Sequence, residues 1–149
     1  MKRAIHGYVL LEALVALLIF SLGLLGMIGF QAASTRIVTD ARFRTEAAIL
    51  TDELLAKMAV DRRDLVLSNY PFNSDGSGAS GATSKVWFDQ RVVAGSKLPN
   101  AKARVAVSKG DAADTFIVTV VLQWDLPGAT DATKSKVEHG VYETTTLLF

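Results

Sequence analysis

A long apolar segment near the N-terminus constrains this chain more than any other feature. Residues 8–30 number 23 and carry one charged side chain, Glu12, and residues 13–30 form an uncharged stretch of 18. As a helix, this stretch reaches about 27 Å, close to the thickness of a bilayer hydrocarbon core. Lys2 and Arg3 precede it, and basic residues keep the adjacent end of a spanning helix in the cytoplasm. The sequence predicts a membrane-inserted or membrane-translocated chain whose bulk lies on the far side.

The composition excludes several classes of protein. Half of the 149 residues are hydrophobic and the net charge is +1, which argues against disorder and against nucleic-acid binding by bulk basicity. The chain has no cysteine and only two histidines. Disulfides, thiolate metal sites and a histidine-rich metal site are therefore excluded, and we expect no metal or other cofactor.

Glu12 bears on how the apolar segment is processed. A secretory signal would be cut beyond the segment, near residues 32–34, whereas a cut after Gly7 would retain the helix. A carboxylate inside an apolar helix costs about 2–4 kcal/mol near the bilayer centre, and a disposable signal has no use for it. The alternative is that Glu12 lies at the membrane surface and is simply solvated.

The residues around Glu12 resemble a known family. The run from Gly7 through Tyr8 and Glu12 to Phe20 is similar to the class III leader and N-terminal helix of type IV pilins and type II secretion pseudopilins. The continuation over residues 21–31 is most similar to the PilV-type minor pilins. The resemblance is dense over the first 35 residues or so. Tyr8 stands where the family usually has Phe, and the helix proline and C-terminal cysteine pair of major pilins are missing; the latter departure favours a minor pilin or pseudopilin.

The resemblance implies a processing step and an assembly role. A prepilin peptidase would cut after Gly7, removing Lys2 and Arg3, and the new N-terminus at Tyr8 would be N-methylated. In a filament, Glu12 would face the Tyr8 ammonium of a neighbouring subunit and set its axial register. The implied partners are other major and minor pilins, the prepilin peptidase, an inner-membrane assembly platform and, before assembly, membrane lipid.

Three glycines, Gly23, Gly26 and Gly29, recur at every third position of the apolar segment. They fit a weak stretch where the helix bends or unwinds when packed in a filament, since each glycine costs about 1 kcal/mol of helix propensity. They equally fit a close approach between helices in a membrane.

The apolar segment is followed by an amphipathic pattern. Residues 31–67 contain no proline or glycine, and apolar residues recur at helical spacing at Phe43, Ala47, Leu50, Leu54 and Met58. We expect this face to pack against the chain's own globular part, with a coiled-coil partner as the alternative. Four regions result: a leader (1–7), a hydrophobic transmembrane or filament-core helix (8–30), an amphipathic helix (31–68) and a β-sheet head (69–149).

The sequence of the head predicts a loop followed by strands. Residues 72–83 are rich in Gly, Ser and Asn and predict a loop. Residues 84–94 fit a short helix by their spacing or a strand by their β-branched content, and the pilin resemblance favours the helix. Residues 103–108, 115–125 and 137–148 predict three strands; in the second, alternate apolar residues share one face. Joined in sequence, the strands form an antiparallel meander across the amphipathic helix. The expected fold is α+β, of the type IV pilin kind.

No constellation of residues indicates catalysis, and we expect the chain not to be an enzyme. Residues 76–81 match G-x-G-x-x-G, but the preceding strand and the acidic residue about 20 positions later that a dinucleotide site needs are missing. His139 beside Glu138 predicts a surface pair. Lys97, Lys102, Arg104 and Lys109 form a diffuse basic stretch. Ordinary solubility explains it, and the alternative is a surface for DNA or another ligand.

The resemblance thus implies a minor pilin that primes a type IV pilus or lies at its tip and supports assembly, adhesion or twitching motility. Before assembly it would span the bacterial inner membrane once, with a periplasmic head, and afterwards it would be extracellular. The alternatives are a minor pseudopilin of a type II secretion system, a pilin-based DNA- or ligand-binding subunit, and an unrelated membrane-tethered protein.

Overall fold

A computed structural model describes residues 6–78, 80–112, 114–126 and 139–149 of the chain. The chain forms two compact units, Met1–Thr39 and Asp40–Phe149. In chain order the elements are α1 (His6–Val60), α2 (Arg63–Asn69), β1 (Phe72–Asn73), α3 (Ala82–Trp87), a π-helical turn (Phe88–Val93), β2 (Lys102–Lys109), β3 (Phe116–Asp125) and β4 (His139–Leu148).

The first unit holds the apolar part of α1. None of residues 8–33 is buried, and an 18-residue window of mean hydropathy 2.5 makes α1 long and apolar enough to cross a membrane. Within this part the Ser21 hydroxyl donates to the Leu17 carbonyl at 2.7 Å, so its polar group is satisfied inside the helix.

The second unit begins with the amphipathic part of α1, and the predicted helical face is confirmed. Phe43, Ala47, Leu50, Leu54 and Met58 are all buried, with exposed fractions of at most 8%. They join the core side of the sheet in one hydrophobic cluster. Helix and sheet pack here because each has one apolar face to remove from water.

The helix predicted to run to about residue 67 is interrupted. α1 ends at Val60, Arg62 has an extended backbone, and α2 starts at Arg63. The Asp61 carboxylate accepts the Arg62 N–H and the Tyr70 hydroxyl, both at 2.9 Å. Because Tyr70 is completely buried, its hydroxyl needs an acceptor, and Asp61 supplies one at the break. No proline or glycine marks this position, so the sequence pattern missed it.

The head carries a four-stranded antiparallel sheet in the order β1-β2-β3-β4. The three predicted strands are confirmed as β2, β3 and β4; residues 137 and 138 of the last prediction lie outside the described residues. β3 alternates strictly, burying Phe116, Val118, Val120, Leu122 and Trp124. The arrangement of a long helix on an antiparallel sheet is α+β and consistent with the pilin fold, as the sequence predicts.

The segment predicted as a loop, residues 72–83, contains a short strand. Phe72 and Asn73 form β1 and pair with Val105 and Arg104 of β2, and α3 begins at Ala82. The following residues are helical as predicted, in α3 and the π-helical turn. The two-residue strand was missed because its pairing partner lies more than thirty residues away in sequence.

Candidate functional site

The residues that carry the pilin resemblance lie on one helix. Gly7, Tyr8 and Glu12 all belong to α1, and Tyr8 and Glu12 lie one turn apart on the same face. The Tyr8 side chain is 77% exposed, and Glu12 is also exposed. Of the described residues, none forms a salt bridge with Glu12. Lys2 and Arg3 lie outside the described residues.

The apolar part of α1 is exposed around its whole circumference. Large side chains such as Leu11, Phe20, Leu25 and Phe30 are each more than 60% exposed. Soluble monomers rarely show so extended an apolar surface. By its length and composition, a helix with this surface could cross a membrane.

Gly23, Gly26 and Gly29 are not explained by packing within the chain. A Cβ atom at any of the three would meet no heavy atom within 4 Å beyond the helix's own backbone. Alanine would therefore fit at each position without displacing a neighbour. α1 is helical through all three glycines, and both interpretations of the sequence concern contacts made with something other than this single chain.

The four basic residues of the predicted ligand patch do not form one cluster. Lys97 lies in the loop before β2, where its backbone N–H donates to Glu46 of α1 at 3.0 Å. Lys102 and Arg104 are exposed on one face of β2, whereas Lys109 lies at the opposite end of that strand, about 23 Å from Lys102 at 3.3 Å per residue.

Carboxylates also lie close to two of these cations. The pKa of Asp75 is below its usual value, chiefly because Ser77 donates hydrogen bonds to the carboxylate and to a lesser degree because Arg104 lies near it. Lys102 contributes in the same way to the lowered pKa of Asp125. Acidic side chains therefore lie among the basic residues of β2, and this part of the surface is not uniformly positive.

A polar cluster that the sequence did not reveal joins β3, β4 and the turn before β2. The Asp125 carboxylate accepts Asn100 Nδ2 at 2.7 Å and lies 2.9 Å from His139 Nδ1. The hydrogen bond from Asn100, and then that with His139, hold the pKa of Asp125 below its usual range. Asn100 has a φ of 48°, a left-handed conformation that asparagine tolerates. His139 therefore pairs with Asp125; its expected partner Glu138 lies outside the described residues.

An open cleft of about 550 Å³ separates α1 from the end of the π-helical turn. Its lining includes Arg42, Glu46, Ile49 and Arg91. The Arg91 guanidinium binds Glu53 through both carboxylate oxygens, with distances of 2.8–3.0 Å. Glu46 accepts the backbone N–H of Lys97, so Glu46 and Arg91 hold the π-helical turn and the loop after it against α1.

Within the described ranges, no three His, Cys, Asp or Glu side chains converge as they would around a metal ion. Comparisons of the chain with protein-family models, with curated proteins and with solved structures found no match. The resemblance to pilins is therefore carried by the first 35 positions of the sequence, and the structure adds an α+β fold that is consistent with it.

Proposed function

We propose that this chain is a minor subunit of a type IV pilus. It is inserted in the inner membrane as a precursor with its head in the periplasm, processed after Gly7 and assembled through its apolar helix. One observation carries the proposal. A membrane-length apolar helix contains a single carboxylate, Glu12, five residues after a glycine, and the same helix α1 extends to Val60, where its last turns pack on the sheet.

The exposed surface of the apolar helix supports an assembly role. A chain that keeps this helix needs lipid or neighbouring helices around it, and a filament core provides the latter. Glu12 would enter that core as a charge, and an unpaired charge in an apolar interior is strongly unfavourable. It therefore needs a cation at a defined height along the filament.

The new N-terminus would provide this cation. Cleavage after Gly7 creates an ammonium group at Tyr8 with a reference pKa near 8. Two unit charges about 4 Å apart attract by about 4 kcal/mol at an effective dielectric constant near 20. Tyr8 and Glu12 lie at fixed positions on the same helix. If Glu12 of one subunit pairs with the Tyr8 ammonium of a neighbour, the pair sets the axial position of each subunit more than its total affinity.

The proposal is tested by mass spectrometry of the chain recovered from sheared filaments. We expect a mature N-terminus at methylated Tyr8. A chain that still begins at Met1, or one that begins near residues 32–34, would overturn the proposal. Recovery with a secretion pseudopilus, and not with pili, would replace the pilus by the alternative assembly.

A second test addresses Glu12. Glu12→Gln keeps the size of the side chain and removes its charge, and we expect a large loss of incorporation into filaments. Gln31→Ala, an exposed polar position on the same helix, serves as the matched control and should incorporate normally. Unchanged incorporation of Glu12→Gln would contradict the role assigned to the carboxylate.

A further inference from the structure

α1 contains a stretch of low helix propensity between its apolar part and its packed part. Serine competes for backbone hydrogen bonds, and β-branched side chains lose rotamer freedom in a helix, so both kinds of residue favour helices less than alanine or leucine. Five of the six residues 34–39 are of these kinds: Ser34, Thr35, Ile37, Val38 and Thr39. Local propensity therefore contributes little to helix formation in this stretch.

Packing does not compensate for this. No residue of 31–42 is buried, and of the residues that the structure describes, the first buried one in α1 is Phe43. Ile37 and Val38 are 70% and 68% exposed. The division of the chain into two compact units falls at the same place, between Thr39 and Asp40. Segments with few buried contacts and solvent-exposed backbone hydrogen bonds open more readily than packed ones.

Two hydroxyl groups disturb the same part of the helix. Thr35 Oγ1 donates to the Gln31 carbonyl at 2.9 Å, and Thr39 Oγ1 donates to the Thr35 carbonyl at 2.8 Å. A threonine bonded in this way competes with a backbone N–H for the carbonyl, and such bonds slightly destabilise helices and often bend them. The two threonines lie one turn apart on the same side of α1, so their effects reinforce each other.

Asp40, which follows this stretch, is a residue that favours the start of a helix. An aspartate at the N-cap accepts backbone N–H groups two or three positions later, here those of Arg42 and Phe43. In the continuous helix only one carboxylate oxygen has a partner. Oδ2 binds Arg44 Nε at 2.9 Å, whereas Oδ1 is buried and has no hydrogen-bond partner among the described residues. A helix that began at Asp40 would satisfy this oxygen.

We propose that residues 34–39 form a hinge in α1, which exchanges between the continuous helix and an open form in which a second helix begins at Asp40. In the open form Asp40 caps the helix that carries the buried face of the head, and the core from Phe43 onward stays intact. The head can then change its direction relative to the apolar helix while both remain folded. The hinge follows from the residues of α1 alone and does not depend on the pilus assignment.

Distances between pairs of spin labels test the hinge directly. Because the chain has no cysteine, introduced cysteines carry the labels without background. Met27→Cys and Asp52→Cys lie on either side of the hinge, about 38 Å apart along a straight helix at 1.5 Å per residue. By pulsed electron paramagnetic resonance of the full chain in lipid nanodiscs, we expect a broad distribution that extends several ångströms below this value. The pair Asp52→Cys and Ser108→Cys lies within the head and should give a narrow distribution.

Alanine substitutions test whether the named residues cause the motion. Thr35→Ala, Val38→Ala and Thr39→Ala, combined in one chain, raise helix propensity and remove both hydroxyl bonds. The triple variant should narrow the distribution toward the straight-helix distance and slow amide hydrogen exchange of residues 36–41 by about ten-fold. Thr45→Ala is the matched control, because it removes the same kind of hydroxyl bond, 3.0 Å long, from the packed part of α1. It should leave both measurements unchanged.

Two substitutions of Asp40 separate its capping role from its ion pair. Asp40→Ala removes the N-cap and favours the continuous helix, so it should narrow the distribution as the triple variant does. Asp40→Asn loses the ion pair with Arg44 but keeps a strong N-cap residue, and it should leave the distribution broad. A narrow distribution in the unaltered chain, an unchanged width in the triple variant, or equal widths in the two Asp40 variants would overturn the proposal.

Discussion

Replacing Gly140 tests how closely the sheet packs around a buried tryptophan. It pairs with Trp124 across β3 and β4, and the Trp124 side chain is completely buried. A Cβ atom on Gly140 would overlap the indole atoms Cε2 and Nε1 and lie 2.6 Å from Cζ2. Because carbon atoms in contact lie about 3.5–4.0 Å apart, the ring would have to retreat by about 1 Å in a closely packed core.

The magnitude follows from two opposing effects. Overpacking a core typically costs about 1–3 kcal/mol, while replacing glycine by alanine reduces the entropy of the unfolded chain and returns about 0.4–1 kcal/mol. We therefore expect Gly140→Ala to lower the free energy of unfolding by about 1–2 kcal/mol. The measurement is urea denaturation of the full chain in detergent, followed by tryptophan fluorescence.

A double-mutant cycle isolates the contact. Trp124→Leu removes the overlapping atoms Nε1, Cε2 and Cζ2 and alone destabilises the head by about 3 kcal/mol through the cavity it leaves. Added to this variant, Gly140→Ala should cost nothing, a coupling of at least about 1 kcal/mol. Trp87 lies in the same core, 2% exposed, and remains as the fluorescent reporter. Additive effects of the two substitutions would refute the reasoning.

Three further substitutions test other contacts in the head by the same assay. Gly81→Ala should lower the free energy of unfolding by about 1–3 kcal/mol, because a Cβ atom at this position overlaps the backbone carbonyl of Asn69. The φ of −59° suits alanine, so the loss would come from this overlap alone. An unchanged free energy of unfolding would contradict the predicted overlap. Tyr70→Phe should cost about 1–2 kcal/mol at pH 7. Burial, and then the hydrogen bond to Asp61, raise the pKa of Tyr70 above its usual 10.0, so this contribution is complete below pH 10 and is lost as the pH rises further; the Phe variant should decline less steeply in alkali. Asp125→Asn should lower the urea midpoint at pH 7 and make that midpoint fall less steeply in acid. The lowered pKa of Asp125 confers stability that is lost as the pH falls below the usual pKa of an aspartate. An equally steep fall of the midpoint in both proteins would contradict this.

The parts of the fold that the sequence predicted share a simple physical origin. The buried face of α1 and the alternation in β3 both arise because one side of a regular element faces the core, and the spacing of apolar residues then records the element. Phe43, Leu50 and Met58 mark the helix in this way, and Val118 and Leu122 mark the strand. Such patterns are local and can be read along the chain.

The parts that the sequence missed depend on contacts between distant residues. The break after Val60 is stabilised by a hydrogen bond from Tyr70 to Asp61, and the sequence has no proline or glycine at this position. The strand β1 exists because Phe72 meets Val105. Its surroundings are rich in glycine and serine, so local propensity alone predicts a loop.

The candidate site divides in the same way. The resemblance to pilins suggests roles for Gly7, Tyr8 and Glu12, and these roles stay predictions; their relative placement follows from their order along one helix. The dispersal of the basic residues along β2 and the partner of His139 depend on which strands lie side by side. By itself, the sequence determined the apolar helix, its single carboxylate and the α+β class, because these follow from local periodicity and charge. Only the tertiary structure decided the sheet order and the need for glycine beside Trp124, because each arises from residues that pairing brings together across the chain.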